Sequence, residues 1–266
     1  MARSILFFVV YLLYLAIALG LPQRLVVWPL VTLFPARRRA VVGAWLRLHA
    51  RGTLALARVL ANVKVTIRGP IAKGPCVVVM NHQSVLDIPL GVLVVSGPFP
   101  LIVTRARYRR GLPGISPLTR LMRCPFVSQG RSTSRAEVVR LAEAAQEVAR
   151  GEQSLLIYPE GHRTPDGQIL PFMTPGLRLI LARARRPVYA AVVDGVWSAG
   201  TFGEAALRIA GSRAEVVVLG PFTPAPGEDL DAFIGSLRER MAANLAERRA
   251  AAAPPSERAT ARPVPA

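Results

Sequence analysis

The chain has 266 residues, 52% of them apolar, and a net charge of +18 from 34 basic against 16 acidic side chains. That length suits one sizeable domain with a peripheral element, and two cysteines, Cys76 and Cys124, offer neither a disulfide framework nor metal spacing, so a reducing compartment is the simpler assumption. The basic balance calls for an anionic partner such as a lipid surface or phosphate-bearing substrates, although arginine-rich codon usage also raises it; zinc-finger, basic-zipper and aromatic RNA-binding signatures are all missing, which argues against nucleic acid.

Residues 4–21 carry no charge, and as a helix they reach roughly 27 Å, just short of a hydrocarbon core of about 30 Å. Pro22-Gln23-Arg24 interrupts, and the apolar run resumes from Leu25 to Phe34. One span through both would put Arg24 near mid-membrane at a cost of about 3 kcal/mol. Two shorter segments are therefore expected, as a span with an interfacial follow-on or as a re-entrant hairpin. Arg37, Arg38, Arg39, Arg47 and Arg51 follow at once, which predicts a cell-membrane protein with its remainder on the cytoplasmic side. Residues 1–39 are thus read as a membrane-embedded anchoring segment.

Residues 40–61 read as a helix with Val41, Trp45, Leu48 and Leu56 on its apolar stripe, suited equally to an interface or a core. Lys64 to Arg68 reads as a short strand, and Cys76 to Met80 as a buried one, being too short and too Val-rich for a helix. Asn81 and His82 follow at its carboxyl end, where open α/β sheets bind ligands. An imidazole acts as a base near neutral pH when a carboxylate fixes its tautomer, and Asp87 lies five residues on. Five residues are about 140° of helical rotation, so the pair forms only with His82 in the loop and Asp87 in the first helical turn. Ser84-x-x-Asp87 followed by Pro89 equally suits a plain helix start.

Leu101 to Thr104 reads as a further strand. From Arg105 to Arg135 there are eight arginines and no acid, a stretch that suits either a phosphate site or a solvated loop. Ser134-x-x-Glu137 is a capping box opening a helix that stops at Gly151, and Leu155 to Tyr158 returns as a buried strand. It runs into Pro159-Glu160-Gly161-His162-Arg163-Thr164, where glycine permits a tight turn and Arg163 offers a planar fork for phosphate. Residues 175–184 and 230–249 read as helices and 215–219 as a strand, completing an α/β domain over 40–249, a mixed, largely buried sheet flanked by helices. The Ala/Pro/Arg tail from residue 250 to 266 is expected to be disordered.

Asn81-His-Gln-Ser-Val-Leu-Asp87 and Tyr158-Pro-Glu-Gly-His-Arg-Thr164, supported by Asp166 to Phe172 and a strand from Pro187 closing at Gly195, resemble the blocks of the 1-acylglycerol-3-phosphate acyltransferase family of glycerolipid acyltransferases. The resemblance covers about residues 60–200. It implies the glycerolipid acyltransferase fold, with His82 as the base that deprotonates a glycerol hydroxyl, Asp87 orienting it, and Glu160, Gly161, Arg163 and Thr164 binding the acceptor. It further implies acyl-CoA or acyl carrier protein as co-substrate, with no permanently bound cofactor, no metal, and membrane lipids and a lysolipid acceptor as partners. The product would be phosphatidic acid.

Two departures bear on the acceptor. The family's intermediate block ends Phe-Ile-Asp-Arg, whereas this chain has Phe126-Val127-Ser128-Gln129 with its nearest arginine at Arg131, the residue left to make that block's phosphate contact. A phosphate-free acceptor such as lyso-ornithine lipid is therefore an alternative. His162 stands where the family commonly has Thr or Ser. A catalytically silent, basic lipid-binding protein is the alternative of another class; a serine hydrolase and a nucleotide enzyme are disfavoured by the absence of Gly-x-Ser-x-Gly and Walker loops.

Overall fold

The computed structural model describes residues 1–128 and 133–252. Six strands form the central sheet: β1 Lys64–Arg68, β2 Val77–Met80, β3 Pro100–Ile102, β4 Ser154–Ile157, β5 Val188–Asp194 and β6 Arg213–Phe222. Their order is β1-β6-β5-β2-β4-β3, with every neighbouring pair parallel except β5 and β6. The sheet is mixed, as expected. Val77 pairs with Leu155 on one side and Val188 on the other, so β2 is central and wholly buried, which is why it reads as an unbroken apolar run.

Among the described residues, eight helices flank it: α1 Ala2–Leu33, α2 Arg38–Ala61, α3 Asp87–Leu93, α4 Ile115–Leu121, α5 Arg135–Ala149, α6 Thr174–Ala184, α7 Phe202–Arg208 and α8 Leu230–Ala252. The Ser134–Glu137 capping box opens α5 as predicted, with both reciprocal bonds made. The C-terminal helix extends through Ala252, so residues 250–252 are helical and not tail; the rest of the expected tail lies outside the described residues.

Two expectations at the amino end are corrected. Pro22 does not divide the apolar run into two segments: α1 is one continuous helical stretch, with π-type turns at Tyr14–Leu19 and Gln23–Val27 that absorb the donor missing at proline. In α2 the buried stripe is Val42, Leu46, His49, Ala50, Thr53, Ala57 and Ala61, while Leu48 is exposed and Trp45 half-buried. The packing face is set one residue over from the large apolar side chains, because small residues let α1 approach closely. Gly52 shows this: a Cβ there would lie 2.4 Å from the Tyr14 hydroxyl.

One face of α1 packs on the domain along most of its length through Phe7, Tyr11, Leu15, Leu19, Val27 and Val31. Ser4 Oγ accepts from the Ala210 backbone N–H at 3.1 Å, and Gln23 donates to the Gly114 carbonyl and accepts from Trp45 Nε1. The opposite face presents Leu6, Val9, Leu13, Ile17, Leu25 and Val26.

Candidate active site

β2 and β4 are adjacent and parallel, so the segments leaving them emerge side by side at one edge of the sheet. Asn81, the first residue past β2, is fully buried, and its side chain acts as one more rung of the ladder. Its Nδ2 donates to the Val193 carbonyl and its Oδ1 accepts from the Val193 N–H. The backbone is thereby held as it leaves the strand, and His82 follows from a fixed point.

His82 lies in the loop and Asp87 is the first residue of α3, the arrangement their spacing required. His82 Nδ1 is 2.8 Å from Asp87 Oδ2, and the same oxygen accepts from the backbone N–H groups of Gln83 and Ser84. An acceptor opposite Nδ1 places the ring proton there and leaves Nε2 as the basic nitrogen. Asp87 is therefore more than a helix-start residue, since three donors converge on one fully buried oxygen. Tyr158 supports the pair from β4's side, its ring centroid 4.4 Å from that of His82 and its hydroxyl donating to the Asp87 carbonyl at 2.9 Å. Burial lowers the His82 pKa, Asp87 opposes that, and the positive fields of Arg163 and Arg105 add to the lowering. The imidazole is thus held neutral below the usual histidine range, as a base must be.

The second segment crosses beneath this pair. Glu160 is buried, with Oε1 accepting from the His82 N–H at 2.8 Å and Oε2 from the Leu170 N–H at 2.9 Å. Burial pushes its carboxyl up to about 7. Thr164 is also buried, donating its N–H to the His82 carbonyl at 2.8 Å and its hydroxyl to Asp166. These two residues, expected at the acceptor, hold the histidine loop in this structure: both Glu160 carboxylate oxygens and the Thr164 N–H and hydroxyl are bonded to protein partners, and neither residue lines the cavity beside His82. Gly161 and Arg163 do face the open space, Gly161 with a φ of +73° at the tight turn. His162 points to water. Arg131 lies outside the described residues.

His82 sits in the wall of a cavity of about 620 Å³, within the range of small-molecule sites. Its lining is dominated by apolar side chains from α1, α2, α3, α4 and α6, including Leu15, Leu46, Val92, Leu118 and Leu179. Near His82 the wall is basic, with Arg163 and Arg105. Arg105 was legible only as one of many arginines in the acid-free stretch; its place beside His82 follows from β4 pairing with β3. Among the described residues no three His, Cys, Asp or Glu side chains gather as a metal site would require.

Residues 62–194 match the family model described as Acyltransferase, and the 1-acyl-sn-glycerol-3-phosphate acyltransferase of Pseudomonas aeruginosa is 30% identical over 228 residues, 85% of this chain and 82% of that protein. The chain belongs to the 1-acylglycerol-3-phosphate acyltransferase family. This acyltransferase is also similar to the 1-acyl-sn-glycerol-3-phosphate acyltransferase alpha of Ovis aries, 28% identical over 68% of this chain and 63% of that one. In fold it matches the crystal structure of the 1-acyl-sn-glycerophosphate acyltransferase from Thermotoga maritima, with a TM-score of 0.71 over 93% of this chain and 95% of that one at 19% identity. The matched family region ends at Asp194, so α7, β6 and α8 lie beyond it.

Proposed function

We propose that this acyltransferase moves an acyl chain from an acyl thioester, carried by CoA or acyl carrier protein, to the free hydroxyl of a lysophospholipid, 1-acylglycerol-3-phosphate, giving phosphatidic acid. The observation that carries this is the 2.8 Å His82–Asp87 pair in the wall of an apolar cavity beside two arginines. His82 Nε2 takes the hydroxyl proton as the oxygen attacks the thioester carbonyl, and Asp87 stabilises the imidazolium. On collapse the carbon–sulfur bond breaks and the imidazolium protonates the departing thiolate. A thioester is already activated, so no covalent enzyme nucleophile is needed. A positioned base supplies about 10²–10⁴-fold, and holding both substrates in one apolar cavity beside it supplies proximity for the rest.

Arg163 and Arg105 suit an acceptor that carries a phosphate, which favours it over a phosphate-free lysolipid. The test compares 1-acylglycerol-3-phosphate with lyso-ornithine lipid on purified protein. His82→Ala is expected to abolish transfer to both while lipid binding persists, and Arg163→Ala to raise KM for the phosphate-bearing acceptor alone. No transfer by the wild-type protein to either acceptor, with lipid binding unchanged in His82→Ala, would support a catalytically silent lipid binder; a higher wild-type kcat/KM for lyso-ornithine lipid than for 1-acylglycerol-3-phosphate would favour the phosphate-free acceptor.

The exposed apolar face of α1 suits a membrane surface. Ser4 and Gln23, nineteen residues apart and so roughly 28 Å along the helix, are both bonded to the domain. A helix so pinned lies along the membrane, because crossing it would carry the polar domain into hydrocarbon. Arg37, Arg38 and Arg39, at the α1–α2 turn, suit the anionic lipids of a cytoplasmic leaflet, which supports placing the domain on that side. Protein pelleting with membranes that is released by Leu13→Glu and Ile17→Glu together is the expected result.

A further inference from the structure

The C-terminal helix reaches the catalytic loop. Arg238 and Arg249 are eleven residues apart, 1,100° of helical rotation or about 20° past three turns, so they project from one stripe of α8. Arg238 donates to the carbonyls of Leu170 at 3.1 Å and Ile169 at 3.4 Å. Arg249 donates to the Gly167 carbonyl at 3.0 Å and forms a two-pronged pair with Asp194 at 2.7 and 2.9 Å. Gln83, next to His82, bonds the same Gly167 carbonyl and the same Asp194 carboxylate, at 3.1 and 3.3 Å. The 167–170 segment is therefore gripped by its carbonyls from α8, while its Leu170 N–H feeds the Glu160 carboxylate that in turn holds the His82 N–H.

We propose that α8, though outside the matched acyltransferase region, sets the position of His82: Arg238 and Arg249 are positioning residues acting through the 167–170 segment, Glu160 and Gln83. The physical reason is that past Asn81 the catalytic loop has no strand ladder of its own and is held by isolated hydrogen bonds, and a displacement of about 1 Å at a base is enough to cost about a hundredfold in rate. Two guanidinium forks on a rigid helix, seated by buried Phe233, Ile234, Leu237, Met241 and Leu245, supply that missing scaffold. The charged groups facing Glu160 are Asp87, which raises its pKa, and Arg238, which lowers it. Removing the Arg238 charge thus moves Glu160 further upward, and its ionised form, the one that accepts from both N–H groups, is lost at a higher pH.

Resting on the assignment of His82 as the base, the test is steady-state transfer to 1-acylglycerol-3-phosphate by the full chain across pH, with melting temperature recorded alongside. Arg238→Met, which keeps the apolar stem, is expected to lower kcat by about tenfold to about a hundredfold with the acceptor KM within about twofold. Its acid-side midpoint of activity should move upward relative to wild type, while Arg238→Lys, which keeps the charge, holds that midpoint. Arg249→Gln should lower kcat without moving the midpoint, and it serves where Arg238→Met does not fold. Wild-type kcat in both variants, or a loss that only tracks a fallen melting temperature with an unmoved pH profile, overturns the proposal. A fully active His82→Ala would instead overturn the assignment of the base, whereas an inactive His82→Ala beside unimpaired arginine variants refutes the role of α8 alone.

Discussion

Asp87→Asn isolates the charge of the orienting residue with little change in shape. All three donors converge on Oδ2, so an asparagine oxygen can occupy that place, while its amide nitrogen falls where Oδ1 now stands, buried and without a hydrogen-bond partner. The His82–Asp87 contact is 2.8 Å, and with the imidazolium charge spread over the ring the centres are about 4 Å apart, worth about 4 kcal/mol at an effective dielectric near 20. Each 1.36 kcal/mol is tenfold in rate, so kcat should fall by about 10³ with KM little changed. Because Asp87 raises the pKa of both His82 and Glu160, its neutralisation lowers both, and the acid limb of the pH profile moves down whichever group sets it. Release of free thiol from an acyl thioester, followed from pH 5 to 9, measures both effects. A variant within tenfold of wild type, or one whose acid limb moves upward, would show that Asp87 does not act on the base.

Arg105→Ala should raise KM for a phosphate-bearing acceptor by about tenfold to a hundredfold, the worth of a charge-assisted hydrogen bond, and leave a phosphate-free acceptor unaffected; equal losses would remove Arg105 from the phosphate site. At Gly91 a Cβ would lie 2.5 Å from Leu156 Cδ2 and 3.0 Å from the Tyr158 hydroxyl, so Gly91→Ala should cost about 1–3 kcal/mol in denaturant unfolding and disturb the Tyr158 contact to Asp87. His49, on α2 with Nδ1 2.7 Å from the Tyr14 hydroxyl, is pushed by burial down to about 4. A base with a lowered folded pKa favours the folded state fully only above its unfolded value near 6.5, and its contribution is lost as pH falls from there toward 4, about 3 kcal/mol in all. His49→Gln should therefore flatten the stability difference between pH 7.5 and 4.5 in melting experiments, and an unchanged difference would contradict the buried neutral state.

What the sequence alone determined was whatever depends on near neighbours. The run Val77–Met80 had to be a buried strand, Ser134 had to open a helix, and a histidine five residues before an aspartate meets it only across a loop-to-helix turn; each involves contacts within a few residues, where covalent geometry limits the outcome. Recurring blocks of chemistry made the family legible in the same way. The tertiary structure decided the rest, because contacts across long stretches of chain leave no local trace. Glu160 and Thr164 carry polar groups that suit a ligand as well as a backbone N–H or carbonyl, and only the parallel pairing of β2 with β4 brings them under His82, 78 residues away for Glu160. Which face of α1 and α2 is buried depended on the surface that covers them, and the small residues that permit close approach outweighed the large apolar ones that periodicity favours. Arg238 and Arg249 read as ordinary solvated charges on an amphipathic helix until α8 is seated against the catalytic loop, where their forks find carbonyls that no strand is there to satisfy.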